Sequence, residues 1–158
     1  MSKDRMYCGI DPGYKTGGVA FVCGDWAEVH DLPLFDEGGV NSHELDYIFN
    51  SVPIDFIVIE KQSSRPMQGV ASAFKLGMGY GQVLATVSMI GIKHQIITPA
   101  SWKKAMRVPA DKDGARRMAI QQFPALADRL NRKKDEHRAE ALLMATYAKA
   151  VEFRNDSF

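Results

Sequence analysis

Short apolar runs that end in turn residues dominate the first part of the chain. Pro12-Gly13 closes the first run and Gly24-Asp25 closes the second. Short strands joined by Gly- and Asp-containing turns are typical of an antiparallel meander. The pattern predicts three strands, over residues 6–11, 17–23 and 26–34.

The spacing of apolar residues becomes helical after residue 40, where Asn41 is a candidate helix cap. A later β-branched run is typical of a strand buried on both faces. Strands are predicted over 54–59 and 92–97, and helices over 41–52, 69–90, 100–106, 115–122 and 137–151. Strands that alternate with helices imply a mixed sheet with parallel βαβ units. We therefore predict an α/β fold with a mixed five-stranded sheet flanked by helices.

A stripe of small residues runs along the longest predicted helix. Ala73, Gly77, Gly81 and Ala85 recur every four residues. Glycine in a helix interior costs roughly 1 kcal/mol relative to alanine, so its repeated use predicts close approach of a neighbour. That neighbour is either the protein's own sheet or another helix across a dimer interface.

Composition narrows the class of protein. The 158 residues fit one domain spanning 1–158, and 46% apolar with 25% charged residues is ordinary for a globular chain. No apolar run approaches the roughly 18–20 residues of a membrane span. Cys8 and Cys23 lie in apolar runs, which predicts buried thiols in a reducing compartment. We expect a cytoplasmic protein, of a bacterial or phage-infected cell.

The net charge of +1 conceals a strong asymmetry. Residues 1–60 hold 3 basic and 11 acidic residues, whereas residues 93–134 hold 11 basic and 3 acidic ones. Such asymmetry indicates either a polyanionic partner or a solvated helical face. Charge alone leaves the two interpretations about even.

Two acidic residues end predicted strands. Asp11 follows the first apolar run and Glu60 follows the fourth. Neighbouring strands can bring such carboxylates together at one edge of a sheet, where they would repel each other without a cation. Hard oxygen ligands suit Mg²⁺ or Mn²⁺. Taken singly, Asp11 is also a common Asx-turn residue and Glu60 an ordinary strand-end charge.

The start of the last predicted helix adds further candidate ligands. His137 and Glu140 are three residues apart and therefore share one helical face. Asp135 precedes them and most simply caps the helix. Together with the two strand-end acids, these residues favour a metal cluster over a surface ion pair.

Five motifs give the sequence a specific resemblance. In chain order they are Gly9-Ile10-Asp11-Pro12-Gly13, Thr16-Gly17-Gly18-Val19-Ala20, Ile57-Val58-Ile59-Glu60, Ala71-Ser72-Ala73-Phe74-Lys75-Leu76-Gly77 and His137-Arg138-Ala139-Glu140-Ala141-Leu142. Their order and separation resemble the RuvC family of Holliday-junction resolvases, in the RNase H-like superfamily, and most closely its phage-type or divergent members. The resemblance covers essentially the whole chain and implies an RNase H-like fold.

The resemblance implies a site for two Mg²⁺ ions, for which Mn²⁺ can substitute. The family's four catalytic, metal-binding positions fall on Asp11, Glu60, His137 and Glu140. The third position is Asp or His in the family, so His137 fits, whereas the usual Asp of the fourth is replaced by the longer Glu140. Asp135 is a possible further ligand.

The resemblance also implies contacts with DNA through the basic stretch. The candidate DNA-binding residues are Lys103, Lys104, Arg107, Lys112, Arg116 and Arg117. Lys104 and Lys112 match the family's basic positions best, whereas a solvated helix face explains Arg116 and Arg117 equally well. Trp102 either stacks on DNA or, as the preferred interpretation, lies in the core. The family acts as a two-fold homodimer, and the stripe of small residues lies where its members dimerise.

The function implied is a structure-selective endonuclease of DNA recombination and repair, which resolves four-way and other branched junctions by phosphodiester hydrolysis. The family often has an aromatic residue shortly after the second acid, and residues 61–66 have none. Any wedge into the junction must therefore come from elsewhere. Two alternatives stay open: an RNase H-like nuclease that acts on RNA precursors, and a catalytically silent junction-binding module.

Overall fold

A mixed five-stranded sheet forms the centre of the protein. The computed structural model describes residues 4–155, with side chains through residue 152. The strands are β1 Tyr7–Asp11, β2 Gly18–Cys23, β3 Trp26–Asp31, β4 Phe56–Glu60 and β5 His94–Ile97, in the spatial order β3-β2-β1-β4-β5. β2 is antiparallel to both β1 and β3, whereas β4 is parallel to β1 and to β5. The predicted α/β fold with a mixed sheet is confirmed.

Six α-helices connect and cover the strands in the part of the chain that the structure describes. They are α1 Ser42–Asn50, α2 Val70–Ile90, α3 Pro99–Ala105, α4 Gly114–Gln122, α5 Ala127–Leu130 and α6 Glu136–Asn155. The side chain of Asn41 accepts a hydrogen bond from the backbone N–H of Glu44, as expected of a helix cap. The third strand ends earlier than predicted, because Leu34 pairs in a separate bridge with Val40.

Helices cover both faces of the sheet, and each face has its own hydrophobic core. Along β1, Cys8 and Ile10 face the core built with α1 and α2, whereas Tyr7 faces the core built with α6. This alternation follows from the two-residue period of a strand. Every residue of β1 and β4 is buried, as expected for central strands.

Two glycines let α6 lie very close to the central strands. A Cβ at Gly9 of β1 would come within 2.1 Å of the carbonyl oxygen of Ala141. A Cβ at Gly18 of β2 would come within 2.2 Å of the carbonyl oxygen of His137. These contacts bring the first turn of α6 to the edge of the sheet where β1 ends.

The stripe of small residues lies on the exposed side of α2. A Cβ at Gly77 or Gly81 would meet nothing within 4 Å. The residues of α2 that are buried against the protein are Gly79, Val83, Thr86 and Val87. The prediction that the stripe packs on the protein's own sheet is therefore wrong, and the alternative of a dimer interface stays a prediction.

Two further predictions concern the cysteines and the membrane. Both thiols are free, but only Cys8 is buried, since Cys23 lies at the partly exposed end of β2.

None of the helices among the described residues is long and apolar enough to cross a membrane.

Candidate active site

Three carboxylates from three different elements meet at one edge of the sheet. Asp11 ends β1, Glu60 ends the parallel neighbour β4, and Glu140 lies in the second turn of α6. One oxygen from each lies within 4.8 Å of the other two. Asp11 and Glu60 are only 5% and 6% exposed. We call these three residues the acidic cluster. It forms because the ends of parallel strands meet at the same edge and α6 crosses that edge.

The imidazole of His137 is held against the first carboxylate of the cluster. Its Nδ1 lies 2.6 Å from Oδ2 of Asp11, and its side chain is 37% exposed. With the proton on Nδ1, the ring donates to Asp11 and leaves its other nitrogen for solvent or substrate. His137 therefore contacts the acidic cluster through Asp11, and the group of three mutually close ligand atoms does not include it.

The short helix α3 supplies donors to the other two carboxylates. The indole Nε1–H of Trp102 donates to Oε2 of Glu60 over 2.7 Å. The Nζ of Lys103 lies 2.8 Å from Oε1 of Glu140. Each carboxylate of the cluster is therefore matched with a different donor.

Burial shifts the protonation of the cluster. Burial, followed by the nearby charge of Asp11, raises the pKa of Glu60 to about 7 from an ordinary 4.5. Burial likewise raises the pKa of Asp11, although the hydrogen bond with His137 opposes this. That bond raises the pKa of His137. The carboxylates together carry more negative charge than their surroundings stabilise, so the cluster favours an added cation.

The chemistry of these donors fits a hard divalent cation. The cluster offers three carboxylate oxygens within the span of a single ion, and such ligands suit Mg²⁺ or Mn²⁺. The residues that can hold a metal ion are thus Asp11, Glu60 and Glu140.

Asp135, the possible additional ligand, is turned away from the cluster. It ends a short 3₁₀ turn before α6 and is almost fully buried. Oδ2 accepts hydrogen bonds from the backbone N–H and the Nε of Arg132, and Oδ1 accepts one from its Nη2, each over 3.0 Å. The guanidinium of Arg138 lies 3.6 Å away. The carboxylate of Asp135 is thus bound to these arginines just before α6, and Asp135 is not one of the three residues with mutually close ligand atoms.

Four of the six predicted DNA-binding residues line one cavity next to the acidic cluster. The cavity has a volume of about 410 Å³, and Glu136 and Glu140 form part of its wall. The basic residues on its wall are Lys103, Lys104, Arg107 and Lys112. We call this surface the basic cavity. It shares Glu140 with the acidic cluster, and Lys103 on its wall is bound to Glu140, so the two features are continuous.

The other two predicted DNA-binding residues are held by acidic partners. The guanidinium of Arg116 bonds Asp113 and donates over 2.8 Å to the carbonyl oxygen of Asn131. The guanidinium of Arg117 donates two bonds to Asp111, over 2.8 and 3.0 Å. Neither arginine lines the basic cavity. Both guanidinium groups form ion pairs within the chain, and their predicted contact with DNA stays a prediction.

Sequence reasoning missed the contribution of α3 to the site. Trp102 is fully buried, so its preferred placement in the core is the one that the structure has. A buried indole N–H requires an acceptor. The carboxylate of Glu60, at the end of β4, is that acceptor. Lys103 was considered only as a DNA contact, whereas its ammonium is bound to Glu140.

Several solved structures that are similar to this chain are Holliday junction resolvases. RuvC of Thermus thermophilus, in complex with a Holliday junction substrate, is 18% identical over 92% of this chain and 96% of that chain, with a TM-score of 0.69. The yeast mitochondrial Holliday junction resolvase Ydc2 is 15% identical over 98% and 84%, with a TM-score of 0.62. Fowlpox virus resolvase, in complex with Holliday junction DNA, is 12% identical over 92% and 98%, with a TM-score of 0.55.

No family model matches the sequence, and no curated protein matches it either. The similarity is therefore one of fold, and it extends over nearly the full length of the chain and of these structures. It agrees with the resemblance that the sequence motifs carry. The chain has the RuvC-like RNase H fold that these Holliday junction resolvases share.

Proposed function

We propose that this chain is a metal-dependent endonuclease that resolves four-way and other branched DNA junctions. One observation carries the proposal: three clustered carboxylates lie beside a basic cavity, in the fold of proteins solved with Holliday junctions. An acidic site by itself repels a polyanion, so a nuclease needs both cations at the site and basic side chains around it. The acidic cluster and the basic cavity supply these two requirements side by side.

The carboxylates would hold Mg²⁺, and we infer two ions per site by analogy with the RuvC family. By the same analogy, Asp11 would contribute to holding both ions. When bound, Mg²⁺ supplies Lewis-acid stabilisation of the phosphodiester and activation of the attacking water. Glu60 and Glu140 would each complete one side of the site. His137 orients Asp11 and, being partly exposed, can exchange a proton with solvent.

The basic cavity would hold the DNA backbone near the scissile phosphate. Lys104, Arg107 and Lys112 are exposed, and within the described part of the chain none of the three forms an ion pair with an acidic side chain. Exposed cations that face one cavity attract phosphates and release counterions on binding. The position of the cavity next to Glu140 would direct a bound strand towards the acidic cluster.

A homodimer would match two sites to the two-fold symmetry of a four-way junction. The exposed side of α2 carries large apolar side chains around the stripe of small residues. They are Val70, Phe74, Met78 and Met89. Contiguous exposed apolar side chains mark interaction surfaces more often than scattered ones do. Small residues among them would let a second α2 approach closely.

The decisive experiment compares four-way, three-way, flap and linear duplex DNA as substrates, with Mg²⁺, with Mn²⁺ and with chelator. We expect cleavage of the branched substrates only when metal is present. Asp11→Asn and Glu60→Gln should abolish cleavage while junction binding persists. Unchanged cleavage by Asp11→Asn would contradict the assignment of the site. Preferential cleavage of RNA, or metal-independent binding without cleavage, would favour one of the two alternatives instead.

A further inference from the structure

A buried indole contacts the acidic cluster from the side of α3. Trp102 is 0% exposed, and its Nε1–H donates over 2.7 Å to Oε2 of Glu60, a residue 42 positions earlier in the chain. We propose that Trp102 is a positioning residue, whose indole N–H fixes the orientation of the Glu60 carboxylate for cation binding. The inference rests on the proposed function only in taking the cluster to be a metal site.

The indole is a fixed donor because its surroundings leave it no freedom. Helix α3 begins directly after β5, with Thr98 as its cap and Pro99 as its first residue. The indole lies in the core between the sheet and α6, together with Ile97 and Leu142. A large ring packed on all sides cannot change rotamer without opening a cavity. The direction of its N–H is therefore set by the fold itself.

An indole also differs in kind from the other donors at the cluster. His137 and Lys103, the partners of Asp11 and Glu140, can both carry a positive charge. An indole N–H is a neutral donor with no acceptor capacity. Trp102 can therefore hold a carboxylate without neutralising it and without competing with a metal cation.

The second donor to the same carboxylate is weaker. The Nε2 of Gln62 reaches Oε1 of Glu60 over 3.3 Å, near the outer limit for a hydrogen bond. Gln62 is partly exposed, whereas Trp102 is fully buried. Removal of the indole N–H would leave Glu60 without its short, buried hydrogen bond. Outer-shell partners of metal ligands typically contribute about 10- to 100-fold to metal affinity.

The first test observes the hydrogen bond directly, in protein without metal. The chain has two tryptophans, so ¹⁵N-labelled tryptophan gives two indole signals, and Trp26→Phe identifies the one from Trp102. We expect the Trp102 Nε1–H signal to lie downfield, to exchange slowly with solvent and to move when Mg²⁺ is added. Measured at pH 8, it should move upfield in Glu60→Gln, which replaces a charged acceptor with a neutral one. A signal that is the same in wild type and Glu60→Gln would overturn the proposal.

The second test measures Mg²⁺ affinity by calorimetry. Trp102→Phe keeps an aromatic ring but removes the N–H, and we expect a loss of affinity of about 10- to 100-fold. Trp26→Phe is the matched control and should bind Mg²⁺ as wild type does, since Trp26 lies on β3. Wild-type affinity in Trp102→Phe would overturn the proposal. If Trp102→Phe does not fold by circular dichroism, the comparison of wild type with Glu60→Gln decides the matter.

These readouts separate the inference from the proposed function, because neither uses DNA. If both tests give the expected results but the protein cuts no junction, Trp102 is still a positioning residue and the proposed nuclease activity is refuted. If wild type and Trp102→Phe cut junctions equally well and bind Mg²⁺ with equal affinity, the proposed nuclease activity stands and the positioning role of Trp102 is refuted.

Discussion

At the scale of single residues, the chemistry of the site comes from carboxylates held in an unfavourable place. Burial raises the pKa of both Glu60 and Asp11, and the nearby charges of Asp11 and of Glu140, respectively, raise them further. An added cation would relieve the repulsion between them. The buried carboxylates therefore destabilise the metal-free protein, and for the same reason they favour the binding of a metal ion.

The first prediction concerns stability and pH in the absence of metal. The unfolded chain releases the Glu60 proton near pH 4.5, whereas the folded protein holds it until about pH 7. Raising the pH through this window therefore favours unfolding, by on the order of 3 kcal/mol once both states are ionised. The pKa of His137, raised by its hydrogen bond with Asp11, acts in the same direction, since its stabilisation is lost as the pH rises through the folded pKa.

Thermal unfolding measured in chelator should therefore give a higher midpoint at pH 5.5 than at pH 8. Saturating Mg²⁺ should raise the midpoint more at pH 8 than at pH 5.5, because ligation requires ionised Glu60. Glu60→Gln serves as the control and should show a smaller response to both pH and Mg²⁺. A wild-type midpoint that rises steadily from pH 5.5 to pH 8 in chelator would contradict the reasoning.

The second prediction uses two cations in different surroundings. Lys112 is exposed on the wall of the basic cavity, whereas Arg117 is bound by Asp111. Lys112→Ala should weaken junction binding and reduce the salt dependence of the binding constant by about one ion, as expected for one lost phosphate contact. Arg117→Ala is the matched control, because its charge is already compensated. Titrations at several salt concentrations, with equal slopes for wild type and Lys112→Ala, would argue against the basic cavity as the DNA surface.

The sequence identified some of these residues more readily than others. Asp11 and Glu60 could be predicted because an apolar strand that ends in an acid places that acid at a sheet edge. Glu140 followed from its helical spacing to His137. The two interpretations of Asp135, helix cap or further ligand, stayed open because spacing along the chain does not show that a neighbouring arginine already binds its carboxylate. The role of Trp102 depends on a contact across 42 residues, which no local pattern encodes.

At the scale of elements, the site depends on how closely α6 approaches the sheet. Gly18 lies opposite Asp11 in the pairing of β1 with β2, directly beneath the carbonyl of His137. Only a residue without a side chain fits between the strand and this turn of the helix. The first turns of α6 carry both His137 and Glu140, so their distance from Asp11 is set at this contact.

The third prediction is that Gly18→Ala damages the site by displacing α6. A Cβ would lie 2.2 Å from the carbonyl oxygen of His137, so the helix must move outwards. We expect a lower unfolding midpoint and Mg²⁺ affinity reduced by at least tenfold, as is usual when the support of a metal ligand is lost. Gly77→Ala is the control, because its Cβ would meet nothing within 4 Å and alanine stabilises a helix interior by about 1 kcal/mol. Unchanged Mg²⁺ affinity in a folded Gly18→Ala variant would contradict this role of α6.

The helix α2 shows how far periodicity alone can lead. Spacing correctly placed Ala73, Gly77, Gly81 and Ala85 on one face of a long helix. It did not show which way that face points, because α2 is apolar around much of its circumference. The glycine that does approach the protein closely is Gly79, where a Cβ would come within 2.9 Å of the carbonyl oxygen of Gly13. The orientation of α2 depends on how the helix packs against the rest of the protein, and the spacing of residues along the sequence does not give that information.

At the scale of the whole molecule, the near-zero net charge results from separated regions of opposite sign. The acidic first part of the chain contributes Asp11 and Glu60 to the cluster, whereas the basic stretch contributes the cavity beside it. Part of that basic stretch is neutralised internally, since Arg116 and Arg117 pair with acids. The basic surface without internal acidic partners is therefore smaller than the sequence count suggests, and it lies next to the acidic cluster.

The exposed face of α2 is an apolar surface that no other described residue of the chain covers. Val70 and Met89, at the two ends of the helix, are 87% and 89% exposed, and Phe74 between them is 68% exposed. A helix of 21 residues is about 30 Å long, so two such helices can bury an area within the range of stable dimers.

The fourth prediction is that Gly81→Arg gives a folded monomer. The new side chain would enter open space in the single chain, so the fold should be retained, but a buried, unpaired charge at the centre of the proposed interface would prevent association. Sedimentation should show a wild-type dimer and a monomeric variant. Mg²⁺ affinity should be unchanged, whereas cleavage of a four-way junction should fall at least tenfold. Trp26→Arg, a similar change at an exposed apolar residue of β3, should remain dimeric. A monomeric wild type, or a dimeric Gly81→Arg, would show that α2 is not the interface.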